Sequence, residues 1–178
     1  MIDPFEIRDT LETFRIITDT REHQTPKAKE RYEAFGVPHE KATLNYGDYC
    51  GNIRVNGAWL HDVSVTVSPS CVIERKMSLD ELAACFGRGR ARFQREFERA
   101  SANNAKIYLL VENGSWEGIL FHRYRSRLTT NAFLASLTAW MVRYRMSVIF
   151  CRSDTSGKLI KEILYRDMKE RLEQGEYG

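Results

Sequence analysis

The chain has 178 residues, a mass of 20.7 kDa, 43% hydrophobic and 29% charged residues. That length supplies one hydrophobic core and excludes an enzyme with a separate substrate domain. Lys and Arg total 27 against 24 Asp and Glu, and this net charge of +3 is too small to mark a nucleic-acid partner; the excess of Arg (19, with 8 Lys) says more, because its donor fork suits phosphate.

Residues 1–13 read as a short leader, with a helical turn that covers a sheet edge. Residues 14–18 (FRIIT) form a strand. Residues 26–35 form a helix, with Pro26 at its start and Gly36 as its stop. Residues 39–44 are extended and run into a Gly47-Asp48 turn. Residues 52–55 and 59–67 read as two strands joined by Asn56-Gly57, a strong hairpin signal. Residues 71–75 form an apolar strand that ends in charge. Ser78 caps a helix through Phe86, with Glu81 at the third position beyond it. Gly87 and Gly89 interrupt, and a helix covers 90–102. Residues 106–111 (KIYLLV) form a buried strand. Residues 131–144 repeat apolar side chains at helical spacing, 147–151 form a strand, and a last helix runs from about 153 to 174. This alternation predicts an α/β fold with helices on both faces, and the hairpin makes the sheet mixed.

The opening MIDPFEIRDTLETF lacks the apolar stretch of a secretory signal. No run reaches the length of a membrane span; the longest apolar-leaning one, 131–140, is broken by Ser and Thr. Cys50, Cys71, Cys85 and Cys151 form no Cys-x-x-Cys pair, so they read as small buried hydrophobes in a reducing cytoplasm. The histidines at 23, 39, 61 and 122 show no ligand spacing.

The informative stretch is Val72-Ile73-Glu74-Arg75-Lys76. A period of two puts Glu74 and Lys76 on one face of the strand and Arg75 on the other. Asp48 lies 26 positions earlier, beside a neighbouring strand. An acid followed by acid-x-lysine suits metal-dependent phosphodiester hydrolysis. Two carboxylates and a strand carbonyl can hold Mg²⁺ or Mn²⁺, which polarises the phosphate and acidifies a water, while a lysine stabilises the developing charge or orients that water. Glu-x-Lys alone is more often a surface salt bridge. Asp19-Thr20-Arg21-Glu22, at the end of the first strand, and Asp80, four residues after Lys76, supply further polar groups. Taken singly, Asp19 reads equally well as a turn cap and Asp80 as a first-turn acid favoured by the helix dipole.

Together, Asp19-Thr20-Arg21-Glu22, Gly47-Asp48-Tyr49 and Glu74-Arg75-Lys76-Met77-Ser78-Leu79-Asp80 resemble the nuclease domain of the XPF/Mus81 (ERCC4) structure-specific endonucleases. The resemblance covers about residues 14–151, including the Arg-rich helix with Arg92, Phe93 and Glu96. It implies a restriction-endonuclease-like core that cuts DNA near single-strand/double-strand junctions with Mg²⁺ or Mn²⁺. Position by position, it implies Asp48 and Glu74 as metal ligands helped by the Arg75 carbonyl, Lys76 as the catalytic lysine and Asp19 as a further acid near the metal. Arg21, Glu22, Arg75 and Asp80 would support the site or touch phosphate. The tandem helix-hairpin-helix domain that the family usually appends has no counterpart in these 178 residues. The expectation is therefore one nuclease domain over 1–178, similar to a stand-alone bacterial or phage-borne version.

Arg88, Arg90, Arg92, Arg95 and Arg99 fall within twelve residues, with Glu96 and Glu98 between them. This arginine row would position DNA by its phosphates without reading bases. Arg123, Arg125 and Arg127 form a second patch. A homodimer seam is expected if Trp140 and Tyr144 stay exposed. Two alternatives stay open. One is a non-catalytic DNA-binding or partner module with its pocket blocked by 50–70; the other is a sequence-specific, restriction-like nuclease.

Overall fold

The computed structural model describes residues 4–177. Its centre is a six-stranded mixed sheet in the order β2-β1-β3-β6-β7-β8, where β1 is Arg15–Asp19, β2 His39–Ala42, β3 Tyr49–Asn52, β6 Cys71–Lys76, β7 Lys106–Glu112 and β8 Ser147–Cys151. β1 runs parallel to β2 and antiparallel to β3, β3 is antiparallel to β6, and β6, β7 and β8 are mutually parallel. A separate small hairpin pairs β4 (Arg54–Val55) with β5 (Ala58–Trp59). Asn56 (φ 50°) and Gly57 (φ 81°) both lie in the left-handed region that its two-residue turn requires.

Helices cover both faces, as an α/β sheet with crossovers demands. On one face lie α3 (Leu79–Phe86), α4 (Arg90–Ala102), α5 (Trp116–Leu120) and α6 (Thr130–Arg143); on the other lie α1 (Pro4–Glu12), α2 (Pro26–Glu33) and α7 (Ser156–Glu173). The strands divide their side chains by the period of two. Val72, Ile107, Leu109 and Val111 join the α3/α4/α6 core, whereas Cys71, Ile73 and Leu110 join the α1/α2/α7 core. The first core is aromatic. Phe86, Phe93 and Phe97 surround Trp140 with ring centroids 4.9–5.2 Å apart. Each fully buried ring of this kind contributes roughly 1.5–3 kcal/mol over an exposed one.

Side-chain caps mark several helix starts. Thr25, Ser78, Ser115 and Thr129 accept from the backbone N–H groups of Ala28, Glu81, Gly118 and Ala132. Glu81 reaches back to the Met77 N–H at 2.7 Å, which stiffens the junction between β6 and α3.

Several elements differ from expectation. α1 does not cover a sheet edge; Ile7 and Leu11 pack with Ile160, Leu164 and Leu172 of α7 over a sheet face, and residues 1–3 lie outside the described residues. Asn52 belongs to β3 rather than to the hairpin, and the expected strand 59–67 ends at Trp59. Beyond it, the Asp62 carboxylate accepts from Ser64 and the chain loops, leaving Val65 exposed. α5 had no counterpart among the expected elements. Trp140 and Tyr144 are core residues, so they form no exposed seam. Among the described residues, no helix is long and apolar enough to cross a membrane.

Candidate active site

The ends of β6 and β7, the start of β3, the loop after β1 and helices α2, α3 and α4 enclose a cleft of about 760 Å³. Asp48, Glu74, Arg75 and Lys76 line it, together with Arg21, Glu22, Arg88 and Arg92.

Local structure places Asp48. Gly47 has φ 72°, and a Cβ there would lie 2.0 Å from Val72 Cγ2, so only glycine lets the chain turn so close to β6. The Gly47 N–H donates to Glu96 of α4 at 3.0 Å. The Asp48 N–H donates to the Ile73 carbonyl at 2.9 Å, and the Arg75 N–H donates to Asp48 Oδ2 at 2.7 Å. Asp48 is thereby laced to β6 on both sides of Glu74.

Glu74 continues the Val72 face of β6 and is buried. Its Oε1 accepts from Lys76 Nζ at 2.5 Å, and its Oε2 has no protein partner. An unsatisfied buried carboxylate oxygen is costly. Burial pushes the Glu74 carboxyl above its ordinary range, and Lys76 only partly offsets this. Low-dielectric surroundings, and then repulsion by Glu74, push Asp48 well up. Burial alone would lower Lys76, but Glu74 and Asp48 outweigh it and hold the ammonium above its usual value. Its Nζ also lies 5.0 Å from the Phe93 ring centroid. Lys76 is thus held as a cation by its carboxylate partner.

Arg75 points to the opposite face, as the period of two predicts. It donates to Glu112 at 3.0 Å and Glu22 at 3.4 Å. Arg31 of α2 pairs with the same two acids at 3.3 Å and 3.6 Å and donates to the Tyr49 hydroxyl at 3.1 Å. The result is a closed square of two carboxylates and two guanidiniums. Glu22 was expected to support the site. Glu112, at the end of β7, reads from sequence as an edge-loop acid rather than a group near the metal, yet it lines the cleft within the square. Arg31 was missed: its partner Glu112 lies 81 residues away in sequence, and α2 taken alone reads as a polar helix.

Other expected site residues divide. The Asp19 carboxylate is buried and accepts from the Arg21 N–H (2.6 Å), Arg21 Nε (2.8 Å) and guanidinium NH2 (2.8 Å), and the Leu44 N–H (3.0 Å). With these partners it organises the turn after β1 and does not line the cleft. Asp80 pairs with neither Arg75 nor Arg21; its Oδ1 accepts from the Arg125 N–H at 2.5 Å. Arg88 and Arg92 are exposed along the cleft. Arg95 is exposed but lies outside the lining, and Arg99 donates to the Asn45 carbonyl at 3.0 Å. Arg90 turns inward to Ser136 and sits over Trp140, so it leaves the row. No residue of 50–70 lines the cleft.

A family model for the ERCC4 domain matches residues 18–163. The chain belongs to the ERCC4-domain family. Among solved structures, XPF from Aeropyrum pernix is similar to this ERCC4 chain with a TM-score of 0.61 and 21% identity, over 92% of this chain and 69% of the other. XPF from Aeropyrum pernix in complex with DNA is similar with a TM-score of 0.59 and 23% identity, over 88% and 65%. No curated protein matches. These likenesses bear out the restriction-endonuclease-like α/β fold of the ERCC4/XPF nuclease domain.

Among the described residues, no group of three or more His, Cys, Asp and Glu side chains is arranged to hold a metal. The donor set here is smaller: two carboxylates, Asp48 and Glu74, both held above their ordinary range by burial, one with a buried unpartnered oxygen. Hard oxygen donors with excess negative charge fit Mg²⁺ or Mn²⁺, which keep several waters and need few protein ligands.

Proposed function

We propose that this ERCC4-domain chain is a metal-dependent DNA endonuclease acting on branched, flap or fork DNA and leaving 5′-phosphate ends. The observation that carries the reading is Glu74 Oε2, buried without a partner beside Asp48, while Lys76 holds the other oxygen. Asp48, Glu74 and the Arg75 carbonyl would hold Mg²⁺ or Mn²⁺; Asp19, engaged by Arg21, shapes the adjoining turn. The bound cation would polarise the scissile phosphate and lower the pKa of an attacking water. Lys76, paired with Glu74, would stabilise the charge that grows on the phosphoryl oxygens or orient the attacking water. Arg88 and Arg92, exposed along the cleft, would hold flanking phosphates, with Arg95 and Arg99 further along α4. The described residues act as one nuclease domain of bacterial or phage type, and pairing into a homodimer is part of this reading. One similar structure was solved with DNA, which supports the choice of polymer.

The test is cleavage of labelled flap, fork and plain duplex substrates with Mg²⁺ or Mn²⁺ by wild type, Asp48→Ala and Lys76→Ala. Flap or fork cutting by wild type alone is expected. Equal activity in all three chains would sink the site. Recurrent cutting of plain duplex at one sequence would favour a restriction-like enzyme.

A further inference from the structure

The second basic patch is unused once Asp48, Glu74 and Lys76 have their roles. It lies in the connection between α5 and α6, where Leu120, Phe121, His122, Arg123, Arg125 and Arg127 are all exposed. Phe121 is 66% exposed, in contrast to the buried aromatic cluster of the nearby core. The Arg123 guanidinium carbon lies 5.5 Å from the centroid of its ring. Residues 120–129 contain no acid, and among the described residues Arg123, Arg125 and Arg127 form no ion pair.

The segment is held from below. Tyr124 is buried, stacks edge-on against Phe133 at 5.1 Å and donates its hydroxyl to the Leu128 carbonyl at 2.9 Å. The Arg123 N–H donates to the Gly118 carbonyl at 2.8 Å, and the Arg125 N–H to Asp80 at 2.5 Å. Asp80 immediately precedes Glu81, which lines the cleft, so the segment sits at the α3 rim of the proposed active site. A presenting surface held in this way loses little freedom when it binds.

We propose that Phe121, with Arg123, Arg125 and Arg127, is a docking platform for an unpaired DNA strand leaving the cleft. Phe121 would stack on a base, and the arginines would hold neighbouring phosphates. This rests on the DNA-endonuclease reading above and assigns the part of the molecule that meets the single-stranded arm. Arginines alone would serve a duplex equally well, but an exposed ring finds no base face in a stacked duplex and does find one on a single strand. Charge also selects the occupant, because a second copy of this chain would bring the same three arginines to a two-fold seam.

The test is fluorescence anisotropy on the full chain in EDTA. The probes are a labelled single-stranded oligothymidylate, the same strand with abasic sites, and a blunt duplex of equal phosphate count. Phe121→Ala should weaken oligothymidylate binding on the order of tenfold and change duplex binding by less than about twofold. Phe121→Tyr should restore binding, and the abasic strand should not distinguish wild type from Phe121→Ala. The ring is exposed, so an unchanged melting temperature will show that the variant folds. Equal losses on strand and duplex, no loss at all, or no single-strand binding by wild type would each overturn the proposal. So would self-association that Phe121→Ala abolishes, which would make the patch an interface between copies. The assay needs no divalent cation, so a chain that binds the strand through Phe121 but cuts nothing would retire the nuclease reading and leave the platform standing.

Discussion

The two sides of the β6 end bury charge in opposite ways. On the Arg75 side, Glu22 and Glu112 meet Arg31 and Arg75 in a closed square. On the Lys76 side, the ammonium pairs with Glu74, Asp48 accepts from the Arg75 N–H and has no ion pair among the described residues, and Glu74 Oε2 is left over. The first arrangement balances itself, while the second is short of positive charge. One strand thus separates a structural charge cluster from the pair of acids at which a cation is proposed.

The largest effect should come from unbalancing the square. Arg31→Met leaves two buried carboxylates facing one guanidinium and the Tyr49 hydroxyl without its donor, and should destabilise the fold by about 3–5 kcal/mol. Chemical denaturation measures this; a loss below about 1 kcal/mol would mean that the square is not a balanced unit. Lys76→Ala acts on the other side of the strand: it should lower cleavage roughly 10²–10³-fold, the scale for losing one stabilising donor, and also cost stability by leaving buried Glu74 without its ion pair. Single-turnover assays at saturating enzyme separate that from weakened binding.

Asp48→Asn should do what no change in the square can: raise the stability of the cation-free chain, by about 1 kcal/mol, while abolishing activity. The sign follows from proton uptake. The folded Asp48 carboxyl titrates well above its unfolded range. The native state therefore holds the proton to higher pH, and stability falls as pH rises from the ordinary carboxylate range through the folded value. The gain from asparagine should be complete above that value and vanish near about pH 3, where the acid is protonated in both states. Saturating Mn²⁺ should stabilise wild type by about 2–3 kcal/mol at a hundredfold excess over Kd, and Asp48→Asn hardly at all. The smallest effect is the surface comparison. Arg166→Ala breaks an exposed pair with Glu162 on α7 and should cost no more than about 0.5 kcal/mol.

Much of this contrast was legible in the sequence. The apolar lead-in Val72-Ile73 and the period of two separated Glu74 and Lys76 from Arg75. Ser78, Asn56-Gly57 and the 90–102 helix also read correctly, because each rests on local chemistry. What stayed hidden depends on neighbours distant in sequence. β3 is Tyr-Cys-Gly-Asn, with no strand signature. At Gly51 the strand lies close against Phe14 and Met168, which a Cβ would approach to 3.1 Å. The alternating valines of 63–67 imitate a strand, but their backbone finds little pairing beyond a bridge between Leu44 and Val67. Five-residue α5 is too short for a helical period. Asp19 carried the right motif, but only the structure reveals that Arg21 and Leu44 occupy its oxygens. Arg90 shares a helix with Arg88 and Arg92, yet Ser136 and Trp140 draw it away.

The most direct test of the central claim is anomalous diffraction from crystals grown with Mn²⁺. The account predicts one ion contacting Asp48, Glu74 including its Oε2, and the Arg75 carbonyl, with the Glu22–Arg31–Arg75–Glu112 square undisturbed. An ion bound elsewhere in the cleft, or a saturating Mn²⁺ soak that leaves Glu74 Oε2 unpartnered, would contradict it.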